Sequence, residues 1–305
     1  MHNLLERYRQ LRELISESSL KCDEMLKQHT YTRMGGKADL YVTPANYEEL
    51  QLVLSFARTH QLPLTILGFG SNLIVKDGGI RGIVVNLNHF NAIIRESDTL
   101  IAQSGAAIID VSRSALTHHL SGLEFACGIP GSVGGALYMN AGAYGGEIAD
   151  VLVSALVFTP EGELLRLTKE QLELSYRHSN IGTNGYIVLE ATFQLVPAEH
   201  DTIKAKMDEL TEQRESKQPL EYPSCGSVFK RPPGYFAGKL IQDCALQGVQ
   251  IGGAQVSTKH AGFIVNVQDA TASEYIALIR HVQQTVNERF GVQLETEVRI
   301  IGEDE

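Results

Sequence analysis

Apolar residues recur along this chain at helical spacing in some stretches and at strand spacing in others. Residues 3–20 alternate Leu and Ile with Arg and Glu at near-helical intervals, which predicts an amphipathic helix over 3–20. Asp39 to Thr43 reads as a strand. Asn46 with Glu49 three residues on predicts a helix start, and Tyr47, Leu50, Val53, Leu54 and Ala57 form its apolar stripe. The run L-P-L-T-I-L-G-F-G-S-N-L-I-V then predicts a buried strand, a glycine turn and a second strand. Short strands follow from Ile80 to Gln103, a helix from Asp110 to His119, and strands over Val151–Phe158 and Leu164–Leu167 around a Pro160–Gly162 turn. Thr168 and Gln171 cap a short helix, Tyr186–Leu195 reads as a strand, and 201–217 as a polar connecting helix that carries Arg214. Beyond Pro219 a helix over 236–245, a strand over 262–267 and a capping box at Thr271 and Glu274 are expected. That last helix presents Tyr275, Ile279, Val282 and Val286, and V-Q-L-E-T-E-V-R-I-I-G closes the chain as a strand. On such a strand Glu295 and Glu297 share one face, and for a generic strand a solvated face is the better reading of both.

Against this background one stretch stands apart: G-I-P-G-S-V-G-G-A-L-Y-M-N-A-G-A-Y-G-G-E, residues 128–147, has 7 glycines among its 20 residues, against 28 in 305 for the chain. Glycine is tolerated in such density where the backbone needs positive φ or close approach to another group. Val133, Ala136, Leu137, Tyr138 and Met139 are too apolar for a linker, so the expectation is an ordered loop whose amides form a nest for a diphosphate.

Composition narrows the rest. A chain of 305 residues is long for one core, so more than one domain is expected, and Q-P-L-E-Y-P-S-C-G-S-V-F-K-R-P-P-G, with four prolines, marks a boundary followed by a rigid loop. Net charge of −10 argues against a nucleic-acid partner. No apolar run is long enough for a membrane span, and the N-terminus lacks a signal peptide's apolar core. Cys22, Cys127, Cys225 and Cys244 are too scattered for a zinc site or disulfide framework, which fits a reducing cytoplasm, and no metal is expected.

Three motif readings fail on inspection. Gly68-Phe69-Gly70 resembles the start of a dinucleotide fingerprint, but Leu73 stands where the third glycine belongs and a strand, not a helix, follows. The loop still offers Ser71, Asn72 and its own amides to a ligand, or it is simply a hairpin turn. Ser227 lacks a G-x-S-x-G context because Phe229 follows, and Gly234 to Lys239 is one residue short of a P-loop. In S-Y-R-H-S-N, residues 175–180, an arginine could clamp a carboxylate, although from these residues alone an exposed arginine on a surface turn is the better reading.

Taken together, L-G-F-G-S-N-L, C-G-I-P-G-S-V-G-G-A with N-A-G-A-Y-G, S-Y-R-H-S, C-G-S-V-F-K-R-P and L-E-T-E-V-R-I-I-G resemble, in order from about Tyr31 to Gly302, the UDP-N-acetylenolpyruvoylglucosamine reductase family. The short interval between Tyr186 and Arg214 is similar to that of the family's shorter class. The resemblance implies an α+β chain: a two-subdomain FAD-binding fold of the p-cresol methylhydroxylase/vanillyl-alcohol oxidase type plus a C-terminal α+β substrate domain. It places the FAD-binding domain at 1–212, with subdomains at about 22–88 and 89–212, and the substrate domain at 213–305. It further implies non-covalent FAD, NADPH as co-substrate, and a nucleotide-sugar substrate handled by a cytoplasmic monomer without nucleic acid or membrane.

Family roles fall on matching positions. The cofactor would be held by Gly68, Phe69, Gly70, Ser71, Asn72, Leu73, Gly128, Pro130, Gly131, Ser132, Gly134, Gly135, Asn140, Ala141 and Gly142. Arg177 would hold the enolpyruvyl carboxylate with Tyr176 beside it, Ser227 would donate the proton, and Glu297 would be the catalytic glutamate. Arg214 and Lys230 would contact substrate. The chain departs from the family pattern at Arg231, Gln247 and Gly262. A flavoprotein oxidase of the same fold and a non-catalytic nucleotide-sugar binder are the alternatives.

Overall fold

The computed structural model describes residues 2–16 and 19–304, with side chains from residue 8 onward. Helices and strands both contribute, and the chain divides into two compact units: Met1–Lys21, Tyr41–Gly68 and Gly82–Arg214 form one, and Cys22–Leu40, Phe69–Arg81 and Glu215–Glu305 the other. Among the described residues no helix is long and apolar enough to cross a membrane.

The first unit is built on a five-stranded antiparallel sheet ordered Leu164–Thr168, Leu152–Phe158, Ile187–Gln194, Thr99–Gln103, Ile93–Glu96. Alternation sends Leu100, Ala102, Ala155, Val157, Leu167, Ala191 and Phe193 into the core, and leaves Ile94, Val153 and Leu165 exposed. Two helices, Ile108–Thr117 and Val133–Tyr138, add Ile108, Val111, Ala115, Val133, Ala136 and Leu137 to that core. The helix Tyr47–Thr59 starts where expected, because the Asn46 side chain accepts the Glu49 amide at 2.8 Å. Its buried stripe is Leu50, Val53, Phe56 and Ala57, so Phe56 takes the place expected for Tyr47 and Leu54.

Two expectations change here. The first helix spans His2–Leu14 and not 3–20, and Leu20–Met25 is a strand. Past Ile15 the chain is drawn to the Glu49 carboxylate instead, which accepts from Ser16 N at 3.3 Å and from the Ser19 hydroxyl at 3.4 Å. Residues 17 and 18 of that expected helix lie outside the described ones. The helix His200–Lys217 is more than a connector, since Ile203, Met207 and Leu210 pack on Cys127 at the head of the glycine stretch.

In the second unit an antiparallel sheet runs Ser224–Ser227, Phe263–Asn266, Ala254–Val256, Gln250–Ile251. The helix Ala272–Phe290 supplies the expected face of Tyr275, Ile279, Val282 and Val286, all buried. Thr271 and Glu274 cap it reciprocally, and Asp77 accepts the Ala272 and Ser273 amides, each at 2.8 Å. The closing strand is short: only Arg299–Ile301 pairs, in parallel, with Leu73–Val75. Residues 292–298 run along the serine loop instead, joined by a lone Phe229–Thr296 bridge. Glu295 and Glu297 therefore flank this bridge, outside the closing strand. The Gly68–Asn72 loop is not a hairpin, because Leu64–Leu67 pairs in parallel with Ile83–Asn86 while Leu73–Val75 pairs with the C-terminal strand.

Candidate functional site

The glycine stretch folds more tightly than an open nest would. Ser132 caps the six-residue helix Val133–Tyr138, its hydroxyl accepting the Gly135 amide at 3.3 Å. The amides of Val133 and Gly134 bond the carbonyls of Ala106 and Ser104 at 2.9 and 2.8 Å. The amides of Gly131, Asn140 and Ala141 are likewise spent, on the carbonyls of Ile129, Leu137 and Ala136. Gly128 and Ser132 keep amides with no protein acceptor among the described residues. The two glycine segments meet at Ser132: a Cβ on Gly68 would lie 2.6 Å from its hydroxyl oxygen. Ser104, which the sequence does not single out, leaves a buried hydroxyl without a partner beside Gly134.

Arg214 reaches the same stretch from its helix. Its side chain lies where a Cβ on Gly128 would fall, 2.8 Å from the arginine Cδ and 3.0 Å from Nη1. Tyr144 stands nearby; partial burial pushes its phenol up from the ordinary value and the Arg214 guanidinium offsets this.

The S-Y-R-H turn is closed by paired backbone bonds, Ser175 N to His178 O at 3.1 Å and His178 N to Ser175 O at 3.0 Å. Between them Arg177 has φ of +54°, a left-handed conformation that favours Gly or Asn. Its Nη2 donates to the Gly142 carbonyl at 3.0 Å, and its guanidinium carbon lies 5.0 Å from the centre of the exposed Tyr176 ring. The structure thus joins Arg177 to Gly142, two positions the sequence placed in separate roles. Asn140 is wholly buried, and both ends of its side chain are engaged within the protein: Nδ2 donates to Ser175 O and Oδ1 accepts from Ala149 N.

The second unit gathers the other predicted residues. Phe69, Gly70 and Ser71 present consecutive amides without protein acceptors among the described residues. Gly70 has φ of +66°, and a Cβ there would lie 2.3 Å from the His29 carbonyl oxygen. Amides of this kind, with the small residues that leave room for them, fit the diphosphate of a dinucleotide cofactor. Asn72 spends its side-chain amide on the Glu297 carbonyl at 3.2 Å.

Ser227 is exposed at the end of its strand, past a register shift between Ser224 and Ser227 that includes Gly226 at φ of +77°. A bulge of this sort re-aims a side chain. Beneath it the buried Cys225 sulfur meets the Tyr275 hydroxyl at 3.1 Å, and burial pushes the thiol up to about 11. The Glu297 amide bonds Val228 O at 2.8 Å, so Glu297 is held beside the serine loop although far from it in sequence. Lys230 N bonds Glu295 O at 2.9 Å, and the Lys230 ammonium pairs with the Glu295 carboxylate.

The three departures have local reasons. The Arg231 guanidinium covers the Phe236 ring at 4.0 Å. Gln247 donates to Thr258 O at 2.8 Å, a bond a lysine at that position could also make. A Cβ at Gly262 would press on the His260 ring at 3.1 Å, so glycine leaves His260 Nδ1 free to accept the Gly262 amide.

With that geometry in place, comparison with known proteins is direct. Residues 218–301 match the family model for the UDP-N-acetylenolpyruvoylglucosamine reductase C-terminal domain, and 38–168 match an FAD binding domain. The chain is 67% identical over 297 residues to the UDP-N-acetylenolpyruvoylglucosamine reductase of Oceanobacillus iheyensis, covering 97% of each. It is 62% identical to UDP-N-acetylenolpyruvoylglucosamine reductase 2 of Bacillus anthracis, covering 99% of each. Among solved structures, the reductase of the same name from Thermus caldophilus superposes with a TM-score of 0.79 at 34% identity, covering 91% of this chain and 97% of that one. Phl p 4.0202, a glucose dehydrogenase, covers 64% of this chain and 44% of its own with a TM-score of 0.51 at 17% identity, a likeness of fold alone. The α+β class expected from the sequence, an FAD-binding fold of the vanillyl-alcohol oxidase type with a C-terminal α+β portion, stands.

Proposed function

Because the chain belongs to the UDP-N-acetylenolpyruvoylglucosamine reductase family, it is an FAD-dependent oxidoreductase of peptidoglycan precursor synthesis, and we propose how its residues divide the work. The reaction reduces UDP-N-acetylglucosamine enolpyruvate to UDP-N-acetylmuramate at the expense of NADPH. When bound, FAD supplies the hydride chemistry, accepting from NADPH and donating to the terminal carbon of the enol ether.

The glycine segments hold the cofactor through the amides of Phe69, Gly70, Ser71, Gly128 and Ser132, with the flanking glycines keeping side chains out of the way. As the new C–H bond forms at the terminal carbon, the π electrons move to the adjacent carbon and its carboxylate. Arg177 neutralises that carboxylate with a guanidinium that the Gly142 carbonyl holds in place, a preorganised charge that acts where charge builds. Ser227 delivers the proton to the adjacent carbon, completing a two-electron reduction, and Glu297 supports this from the segment bonded to the serine loop. Tyr176, Arg214 and Lys230 contact the nucleotide sugar. In this reading residues 1–212 bind the cofactor and lend Tyr176 and Arg177 to the substrate, residues 213–305 bind the rest of the substrate, and the enzyme works as a cytoplasmic monomer without nucleic acid or membrane.

The observation that carries this assignment is the second unit's own geometry: Ser227 is turned outward by a bulge and Glu297 is bonded to the residue after it. The test is anaerobic stopped-flow of the flavin absorbance. Ser227→Ala should leave reduction by NADPH intact and slow reoxidation by the enolpyruvyl substrate by about 100-fold or more. Equal loss in both half-reactions would make Ser227 structural and overturn its role as donor.

A further inference from the structure

We infer that Asn140 is a positioning residue for Arg177, so that the glycine stretch also fixes the arginine that meets the substrate's carboxylate. The inference rests on the carboxylate role proposed for Arg177. Four observations converge on it, all within the first unit. Arg177 sits at φ of +54° in a turn with no glycine, and such backbone persists only where its surroundings over-determine it. Asn140, itself at φ of +45° and fully buried, donates from Nδ2 to Ser175 O at 3.0 Å, at the first residue of that turn. Its Oδ1 accepts Ala149 N at 2.9 Å, inside the short helix Ile148–Val151, so the amide cannot flip without setting donor against donor. Ser179, just after the turn, donates to Tyr138 O at 2.6 Å.

The turn is therefore pinned on both sides to residues 138–140, while the arginine's own head is pinned to Gly142. Asn140 and Ser179 fix where the backbone of the turn lies, and Gly142 fixes one edge of the guanidinium. Together they set the direction in which the guanidinium faces. A carboxylate recognised by two parallel N–H bonds needs that direction set closely, and a shift of about 1 Å in such a contact can cost on the order of 100-fold in rate.

The test compares Asn140→Gly, which keeps the left-handed backbone and removes both side-chain bonds, with Arg177→Asn and the double variant. Three readouts are taken: flavin content from the visible spectrum, the two half-reactions, and equilibrium binding of UDP-N-acetylmuramate against UDP-N-acetylglucosamine, which lacks the carboxylate. Expected for Asn140→Gly in the flavin-loaded enzyme is reoxidation by substrate slowed about 10- to 100-fold more than any change in the NADPH half-reaction, with weaker binding of UDP-N-acetylmuramate alone. In the Arg177→Asn background the same substitution should add nothing. Loss of flavin, equal weakening of both ligands, or full additivity with Arg177→Asn would overturn the inference, as would wild-type behaviour. Should Asn140→Gly not fold, Ser179→Ala removes the other pin and is judged by the same criteria. If Arg177→Asn alone leaves reoxidation unchanged, the carboxylate role of Arg177 falls, a result distinct from failure of the pin.

Discussion

Arg177 and His260 show how a side chain's setting decides its chemistry. Arg177 accepts a backbone conformation that disfavours an L side chain by about 1–2 kcal/mol, offset by the bonds from Asn140 and Ser179 around it. No glycine or asparagine in S-Y-R-H-S advertises that conformation, so the turn's geometry is invisible in the sequence, while the arginine's chemical type is plain. His260 lies below its ordinary pKa because burial penalises the charged ring, and its Nδ1 accepts the Gly262 amide, which requires the neutral form. A histidine depressed in the folded state contributes stability that is complete above its unfolded pKa of 6.5 and is lost as pH falls below it, since the unfolded chain takes the proton first. The urea midpoint should accordingly drop between pH 7 and 5, and His260→Gln, whose amide oxygen can still accept, should flatten that drop. An unchanged slope in the variant would show that His260 does not set it.

Among the elements, those announced by neighbours in sequence were readable. Asn46 with Glu49 and Thr271 with Glu274 each open a helix as expected, because a cap is settled within four residues. Elements defined by a distant partner were not. V-Q-L-E-T-E-V-R-I-I-G alternates like one strand, yet only its end finds a ladder, while Glu295 and Glu297 turn to the serine loop. Likewise the amides of Val133 and Gly134 looked available until the Ser104–Ala106 segment was seen to accept them. The helix Ala272–Phe290 shows both cases, since its capping box is local but its third cap, Asp77, comes from far along the chain. Asp77→Ala removes the acceptor of two first-turn amides and the Ser273 hydroxyl, and should destabilise the protein by about 1–2 kcal/mol. Chemical denaturation followed by far-UV circular dichroism measures this, and Asp77→Asn should recover part of it.

For the molecule as a whole, the glycine segments, the arginine turn and the serine loop were legible because their chemistry is concentrated in short motifs. The division of the chain is less so, for the second unit is assembled from Cys22–Leu40, Phe69–Arg81 and Glu215–Glu305. Its core takes Met34 and Ile74 from the two early segments, and Asn266 donates to Thr32 O at 2.9 Å. The matched family region 218–301 is thus not a self-sufficient body. Residues 215–305 expressed alone should show neither dispersed amide resonances nor a cooperative melting transition. Supplying residues 22–40 and 69–81 on the same chain should restore both, whereas a well-folded fragment without them would mean that the early segments only decorate the unit.

The parallel pairing of Leu73–Val75 with Arg299–Ile301 also sets a timetable. On the ribosome, the early strand emerges long before its mate is made. The unit carrying Ser227 and Glu297 can close only once Arg299–Ile301 has been made, so a message interrupted before that point yields a chain that has never completed this pairing beside the serine loop.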